Sequence, residues 1–307
     1  MPDALSTRSS HVAIGAVRIV AGLLWLANLE WKRPPDFGRN QKNGLYKYVD
    51  GAVAHPVFAP WSWVVKHVVL KQYTMFGWTT LLLESMLAAL LLLGLWTRPV
   101  ALVAALNSVA IGLSVLHYPN EWPWSYYLMI ALHVLLFATA AGRCVGLDGV
   151  RAAGDEARRR AVLVLGVVAV VVGVASLVIV SGRSFTAQQG KLVGWAAGEL
   201  KLLWFNPFSA LLTAVLGVVA VLSSRLRRVD LGWVAVAGFA LMALQVLAQW
   251  RYRGGHWTGG VFGGTGANFA FWAMFAIGIA ACRPSTTTTT ATAGASTAAA
   301  ASTSPTN

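Results

Sequence analysis

Long apolar runs separated by short polar gaps dominate this chain. Eight of them approach the roughly 20 residues that a membrane-crossing helix needs. They are 11–30, 76–96, 99–117, 122–142, 161–181, 207–224, 231–249 and 268–282. Two further stretches, 57–75 and 189–204, are apolar but broken by lysines, Lys66 and Lys71 in the first and Lys191 and Lys201 in the second. They are too charged to span and amphipathic enough to lie flat in an interface. The pattern predicts an all-α integral membrane helical bundle of about eight transmembrane helices.

The runs follow one order twice: helix, long loop with an amphipathic piece, helix, tight basic turn, helix, loop, helix. That order predicts two parallel four-helix repeats, although any eight-helix chain can be divided this way. The expected organisation is a four-helix domain over 1–150, a second four-helix region over 151–283, and a Ser/Thr/Ala-rich tail over 284–307. The tail has too little apolar variety to pack and is expected to be disordered.

Composition agrees with the pattern. Hydrophobic residues make up 57% of the chain and charged residues 11%, against about 25% charged in a soluble domain. An ordinary soluble enzyme is excluded, and so is a chain disordered throughout. Two cysteines exclude a disulfide scaffold and a Cys-rich zinc domain. The net charge of +13 sits in the gaps between apolar runs, and no nucleic-acid motif accompanies it. Its expected partner is membrane lipid, not nucleic acid.

With the N-terminus inside, eleven Lys/Arg residues face the cytoplasm and five lie in the outer loops 182–206 and 250–267. The seven in 31–75 cancel this bias unless that segment is a structured element, which is how we read it. The expectation is a multi-pass protein of the cell membrane with both termini cytoplasmic. Arg18 interrupts the first run, and no small-residue cleavage site follows it. An uncleaved anchor is therefore expected over a signal peptide. Trp31, Trp61, Trp63, Trp78, Trp122, Trp124, Trp195, Trp204, Trp250 and Trp257 fall on the outer side in this topology, as an interfacial aromatic belt would.

Ionisable and amide groups at membrane depth are costly and mark function first. Counted from the inner edge, Arg18 lies about 10 Å deep, Asn107 about 12 Å, His133 about 14 Å and Glu84 about 18 Å. One polar cluster in the first four helices would satisfy all four, with Arg18–Glu84 as the expected ion pair. Such a pair either pins two helices together or handles a proton or ligand; separate snorkelling of each residue is a third reading. His133, seven residues after Tyr126, could bond a quinone carbonyl or pass a proton, or simply be a neutral histidine bonded to a neighbouring helix. No second histidine lies at its depth for a bis-histidine haem. Cys144 and Cys282 sit at inner helix ends without a CxxC spacing and are expected to be inert thiols. The glycine-rich stretch 254–268 lacks the Lys-Ser/Thr of a phosphate loop and reads as a flexible or closely packed loop.

Several segments resemble the DoxX-like family. RIVAGLLWLANLEWK, 18–32, is similar to its arginine-led first helix ending in a lysine. LLLESMLAALLLLGLWTRPVA, 81–101, is similar to its second, with an internal glutamate and a Thr-Arg turn. WPWSYYLMIALHVLLFATAAGRCVGLDG, 122–149, resembles its fourth helix and closing Gly-Arg…Leu-Asp signature. The long loop after the first helix looks like the DoxD branch, the small subunit of thiosulfate:quinone oxidoreductase. The resemblance covers roughly 10–150, and GGTGANFAFW, 263–272, resembles a helix start in some relatives.

The resemblance implies a four-helix unit that passes electrons to quinone or supports a redox partner. It marks Arg18, Glu84, Arg98, Arg143 and Asp148 as family positions, the last three more for helix-end anchoring than for catalysis. The leading expectation is a quinone-linked redox subunit or accessory protein, with the quinone against Arg18, Glu84, Asn107, Tyr126 and His133. The sequence carries no haem, flavin or Fe–S signature and no metal site, so electrons would come from a soluble or membrane redox partner or a small reductant. A small-solute transporter using the same cluster, and a structural scaffold for a soluble redox partner, are the alternatives.

Overall fold

The computed structural model describes residues 2–139, 141–182, 190–191, 203–248, 250–253, 256–259, 262 and 264–283. Among them the helices are α1 (Pro2–Asn28), α2 (Gly44–Ala54), α3 (Ala59–Val64), α4 (Tyr73–Leu93), α5 (Thr97–Val115), α6 (Pro123–Ala138), α7 (Leu147–Ala152), α8 (Asp155–Ile179), α9 (Pro207–Leu226), α10 (Val229–Ala248) and α11 (Gly266–Ala281). A π-helical turn, Val65–Val69, continues α3. Two short antiparallel pairs complete the elements: β1 (Gly190–Lys191) with β2 (Trp204–Phe205), and β3 (Trp250–Arg253) with β4 (His256–Gly259).

The chain is an all-α bundle of membrane character. Each predicted span corresponds to one helix. Six of them, α1, α4, α5, α8, α9 and α10, are long and apolar enough to cross a bilayer. The other two, α6 and α11, are apolar but only 16 residues long, about 24 Å at 1.5 Å per residue. The fourth span is shorter than predicted because Thr139 takes an extended conformation after Ala138. Large apolar side chains such as Val171, Val178 and Leu241 are more than 60% exposed on the outside of the bundle. Water would penalise that surface and hydrocarbon would not.

Consecutive spans run antiparallel and leave two unlike ends. One end, here the turn face, carries the connections Gly94–Trp96, 139–154 with α7 inside it, and Arg227–Arg228; the other, the loop face, carries 29–72, 116–122, 180–206 and 249–265. Adjacent packing follows α1–α4–α5–α6–α1 in the first half and α8–α9–α10–α11–α8 in the second. α11 also packs on α4 and α1 and so joins the halves.

The closest helix approach is α8 on α9. A Cβ at Gly166 would meet the Gly217 carbonyl oxygen at 2.8 Å, and one at Gly173 would meet the Ala210 carbonyl oxygen at 2.8 Å. Small residues at a crossing let backbones touch. The buried core continues inward through Trp25, Leu29, Leu81, Phe239, Trp272 and Phe275.

The segment 57–75 contains α3, its π-helical turn and the start of α4. Val65 is buried, while Trp63, Val68, Lys66 and Lys71 are exposed, the two-sided character expected of an element lying in an interface. Helix α2 is an addition to the sequence reading. Its buried Leu45, Val49 and Ala52 recur at i, i+4 and i+7, a single stripe inside an otherwise polar loop. Part of the stretch read as a loop at 254–268 is strand instead, since β4 pairs with β3 across Trp250–Gly259. Close packing does hold nearby: a Cβ at Gly266 would meet Leu81 Cδ1 at 2.8 Å. Most of 189–204, together with the tail 284–307, lies outside the described residues.

Replacing Gly173 by Leu should force α8 and α9 apart and cost about 1–3 kcal/mol or more. Thermal unfolding in detergent should show this as a lowered Tm, with Val178→Leu, at an exposed position of the same helix, as the comparison.

Candidate functional site

The most concentrated buried polarity in the first half lies where α1 ends against α4. Helix α1 delivers Asn28, and the turn after it brings Lys32 back over the helix end, where its Nζ donates to the Asn28 carbonyl oxygen at 2.9 Å. Helix α4 presents Glu84 from the facing side. Lys32 Nζ and Glu84 Oε2 are 2.6 Å apart, with the side chains only 2% and 1% exposed. Asn28 Nδ2 donates to the same carboxylate at 3.3 Å. Asn107 on α5 approaches the Glu84 carboxylate from a third helix, near enough to act on it, while its buried amide nitrogen completes no hydrogen bond of normal geometry.

Trp31 closes the cluster. Its ring lies over the Lys32 ammonium, 4.1 Å from nitrogen to centroid, and its indole N–H donates to Asn28 Oδ1 at 2.9 Å. The ammonium therefore has two oxygen acceptors and an aromatic face. That is close to full compensation for an ion removed from water. Burial pulls the Lys32 amine below the usual lysine range, and the neighbouring carboxylate pulls the other way. Trp31 also lines a cleft of about 470 Å³ on the loop face, with Arg33, Asp36, Gln41 and Asn43 in its wall.

The expected Arg18–Glu84 pair does not form. Arg18 is fully buried, but its guanidinium turns toward the turn face. It donates to the Leu91 carbonyl, to the Leu92 carbonyl at 3.0 Å and to the Val145 carbonyl at 2.8 Å. The first two carbonyls belong to the last turn of α4, where the helix dipole is negative and a cation is stabilised. Gly94, with φ +64, completes the fit: a Cβ there would lie 2.7 Å from Arg18 Cζ.

The ligand cluster expected from sequence is thus divided. Glu84 and Asn107 share one site; Arg18, Tyr126 and His133 are engaged elsewhere. His133 Nε2 accepts from the Trp25 indole at 2.9 Å, and His133 Nδ1 lies 2.7 Å from the Met129 carbonyl. An indole can only donate and a carbonyl only accept, so the ring is the neutral Nδ1–H tautomer with both nitrogens occupied. Tyr126 donates to Glu121 Oε2 at 2.5 Å, about 10 Å along α6 from His133. A quinone enclosed by all five residues does not fit this arrangement.

Among the other positions marked by resemblance, Asp148 Oδ1 and Oδ2 accept from the backbone N–H groups of Trp96 and Thr97 at 2.8 and 3.0 Å. It caps α5 from α7. Arg98 and Arg143 are exposed on the turn face. Cys144 and Cys282 are free thiols, the first half-buried and the second buried. Among the described residues, no three His, Cys, Asp or Glu side chains converge on one point.

Sequence reasoning missed Lys32, Asn28, Trp31 and Trp25 as site residues. The i, i+4 spacing of Asn28 and Lys32 was the available signal, because it places both on one face of a helix end. The second half has its own buried polar network on the loop face. Asn268 Nδ2 donates to the Trp204 carbonyl at 2.9 Å, and Trp204 Nε1 donates to Glu30 Oε1 at 3.1 Å. This path ties α11 to the end of α1, beside the Lys32–Glu84 pair. No family model, curated protein or solved structure matches this chain.

Glu84→Ala should leave the Lys32 ammonium buried and unpaired, costing about 3–5 kcal/mol as a lowered denaturation midpoint in detergent. Cys282 should resist iodoacetamide at pH 8 in folded protein, because its side chain is only 2% exposed; labelling should appear on unfolding.

Proposed function

We propose that this membrane protein is a DoxX/DoxD-like, quinone-linked redox subunit or accessory protein, and that it works through Lys32, Glu84, Asn28 and Asn107. The observation that supports this most directly is a buried carboxylate and amine 2.6 Å apart with the Asn107 side chain beside them, near enough to act on the carboxylate but with its amide nitrogen in no hydrogen bond of normal geometry. A buried amide N–H calls for a well-placed acceptor. A quinone carbonyl oxygen beside the pair would supply one.

A bound quinone would supply the two-electron acceptor chemistry, with electrons drawn from a soluble or membrane redox partner. The residues of this chain would bind and hold protons. Asn107 would orient the carbonyl. Glu84 and Lys32 share one proton between them, so the pair can be charged or neutral without changing its net charge. Trp31 would keep water from the ammonium and stand between the pair and the loop-face cleft that it also lines.

The test is binding of a short-chain quinone to detergent-purified protein, followed by quenching of tryptophan fluorescence. Wild type should bind, Asn107→Leu and Glu84→Gln should weaken binding at least tenfold, and Tyr126→Phe should leave it unchanged. Equal binding by wild type and Asn107→Leu, or its loss in Tyr126→Phe, would contradict the proposal. No quinone binding, together with solute uptake by proteoliposomes, would favour transport.

A further inference from the structure

A separate cavity of about 300 Å³ lies on the turn face, enclosed by the start of α8, the Arg227–Arg228 turn between α9 and α10, and the end of α11. Four arginines line it, Arg159, Arg227, Arg228 and Arg283, against one carboxylate, Asp155. Arg159 and Arg228 also meet Glu156 and Asp230, while Arg227 and Arg283 pair with no carboxylate among the described residues, which leaves a positive excess that an anion would offset. The cavity shares no residue with the Lys32–Glu84 site, and its argument does not depend on that site.

Several of these side chains are held in place from outside the cavity. Arg228 makes a two-point contact with Asp230, Nε to Oδ1 at 3.1 Å and Nη2 to Oδ2 at 2.9 Å. Arg283 stacks on the Trp233 ring and donates to the Val229 carbonyl at 3.2 Å. Arg159 pairs with Glu156 through Nη2, yet its Nε is buried with no hydrogen-bond partner.

Arg227 adds a backbone observation. It closes α9 in the left-handed conformation, φ +55, where glycine is the unstrained choice. The turn therefore carries a guanidinium at a conformational cost. The remaining wall includes the apolar Val162 and Ile279 and the small Gly232. At Gly232 a Cβ would come within 2.9 Å of Ser223 Oγ.

We infer that this cavity binds a phosphate group at the level of the lipid headgroups. Preorganised guanidiniums match the oxygens of a phosphate better than a diffuse patch of lysines would. The apolar side of the wall suits the glycerol and first methylenes of an anionic phospholipid. The same chemistry would accept a free phosphate, and the experiment separates the two sources.

Delipidated protein in neutral detergent is melted with short-chain phosphatidylglycerol, short-chain phosphatidylcholine or inorganic phosphate. Phosphatidylglycerol should raise Tm and phosphatidylcholine should not. The rise should disappear in the Arg159→Gln/Arg283→Gln double variant and in Gly232→Leu, which fills the cavity without removing charge. It should persist in Arg98→Gln, an exposed arginine on the same face. Arg227→Gly should weaken the rise while leaving the ligand-free Tm unchanged or higher, an opposite pair of effects that loss of folding cannot produce.

An equal rise with inorganic phosphate, lost in the same variants, would assign the site to free phosphate. A rise that survives in Gly232→Leu or is undiminished in Arg227→Gly, or the absence of any rise with either anion, would overturn the inference.

Discussion

A charge buried among membrane helices must bring its own solvation with it. The Lys32–Glu84 pair does so with a backbone carbonyl, two asparagine side chains and a tryptophan face gathered from α1, α4, α5 and the turn after α1. Each partner fixes a different element, so the pair sets how the long loop leaves α1 and how α4 faces it. The cleft lined by Trp31 and the path from Glu30 to Trp204 and Asn268 both start from residues flanking Lys32. The loop face of the first half is arranged around this one contact.

The turn face solves the same problem without a counter-ion in contact. Arg18 is neutralised by three carbonyl oxygens, two of them at the negative end of α4. Asp148 in turn occupies the positive end of α5, accepting from its first N–H groups. A cation at a helix C-terminus and a carboxylate at the next helix N-terminus satisfy opposite dipole ends. Glycine at 94 lets the chain pass close enough to the guanidinium for this to happen. Two buried cations, Lys32 on the turn after α1 and Arg18 within α1, thus have different solvation, one ionic and one dipolar, at opposite ends of the same four helices.

Much of this was legible in the sequence. The eight apolar runs became eight helices, and of the four polar residues expected in one cluster, Glu84 and Asn107 do meet. The partner of Glu84 was not legible, because Arg18 is the cation inside the first span and counting along helix axes favoured it over Lys32 beyond the helix end. Arg18 lies level with Leu91 and Leu92, seven or eight residues and about 11 Å from Glu84. Asn28 is the residue of α1 that meets Glu84. Lys32 counts as lying outside the first span, yet the turn after Asn28 folds its side chain back over the helix end. Helix α2 escaped notice because three apolar positions in a polar loop carry little periodic signal, and β3–β4 because glycine-rich sequence reads as loop.

The central claim is that Lys32 and Glu84 stabilise the bundle as a pair and not as two separate side chains. A double-mutant cycle with Lys32→Met, Glu84→Leu and the combined variant, followed by reversible denaturation in detergent, measures that coupling directly. If the two charges depend on each other, the combined variant will be far less destabilised than the sum of the single variants, with a coupling of about 1–3 kcal/mol. Additive losses would contradict the account and leave the pair as a close approach without energetic consequence.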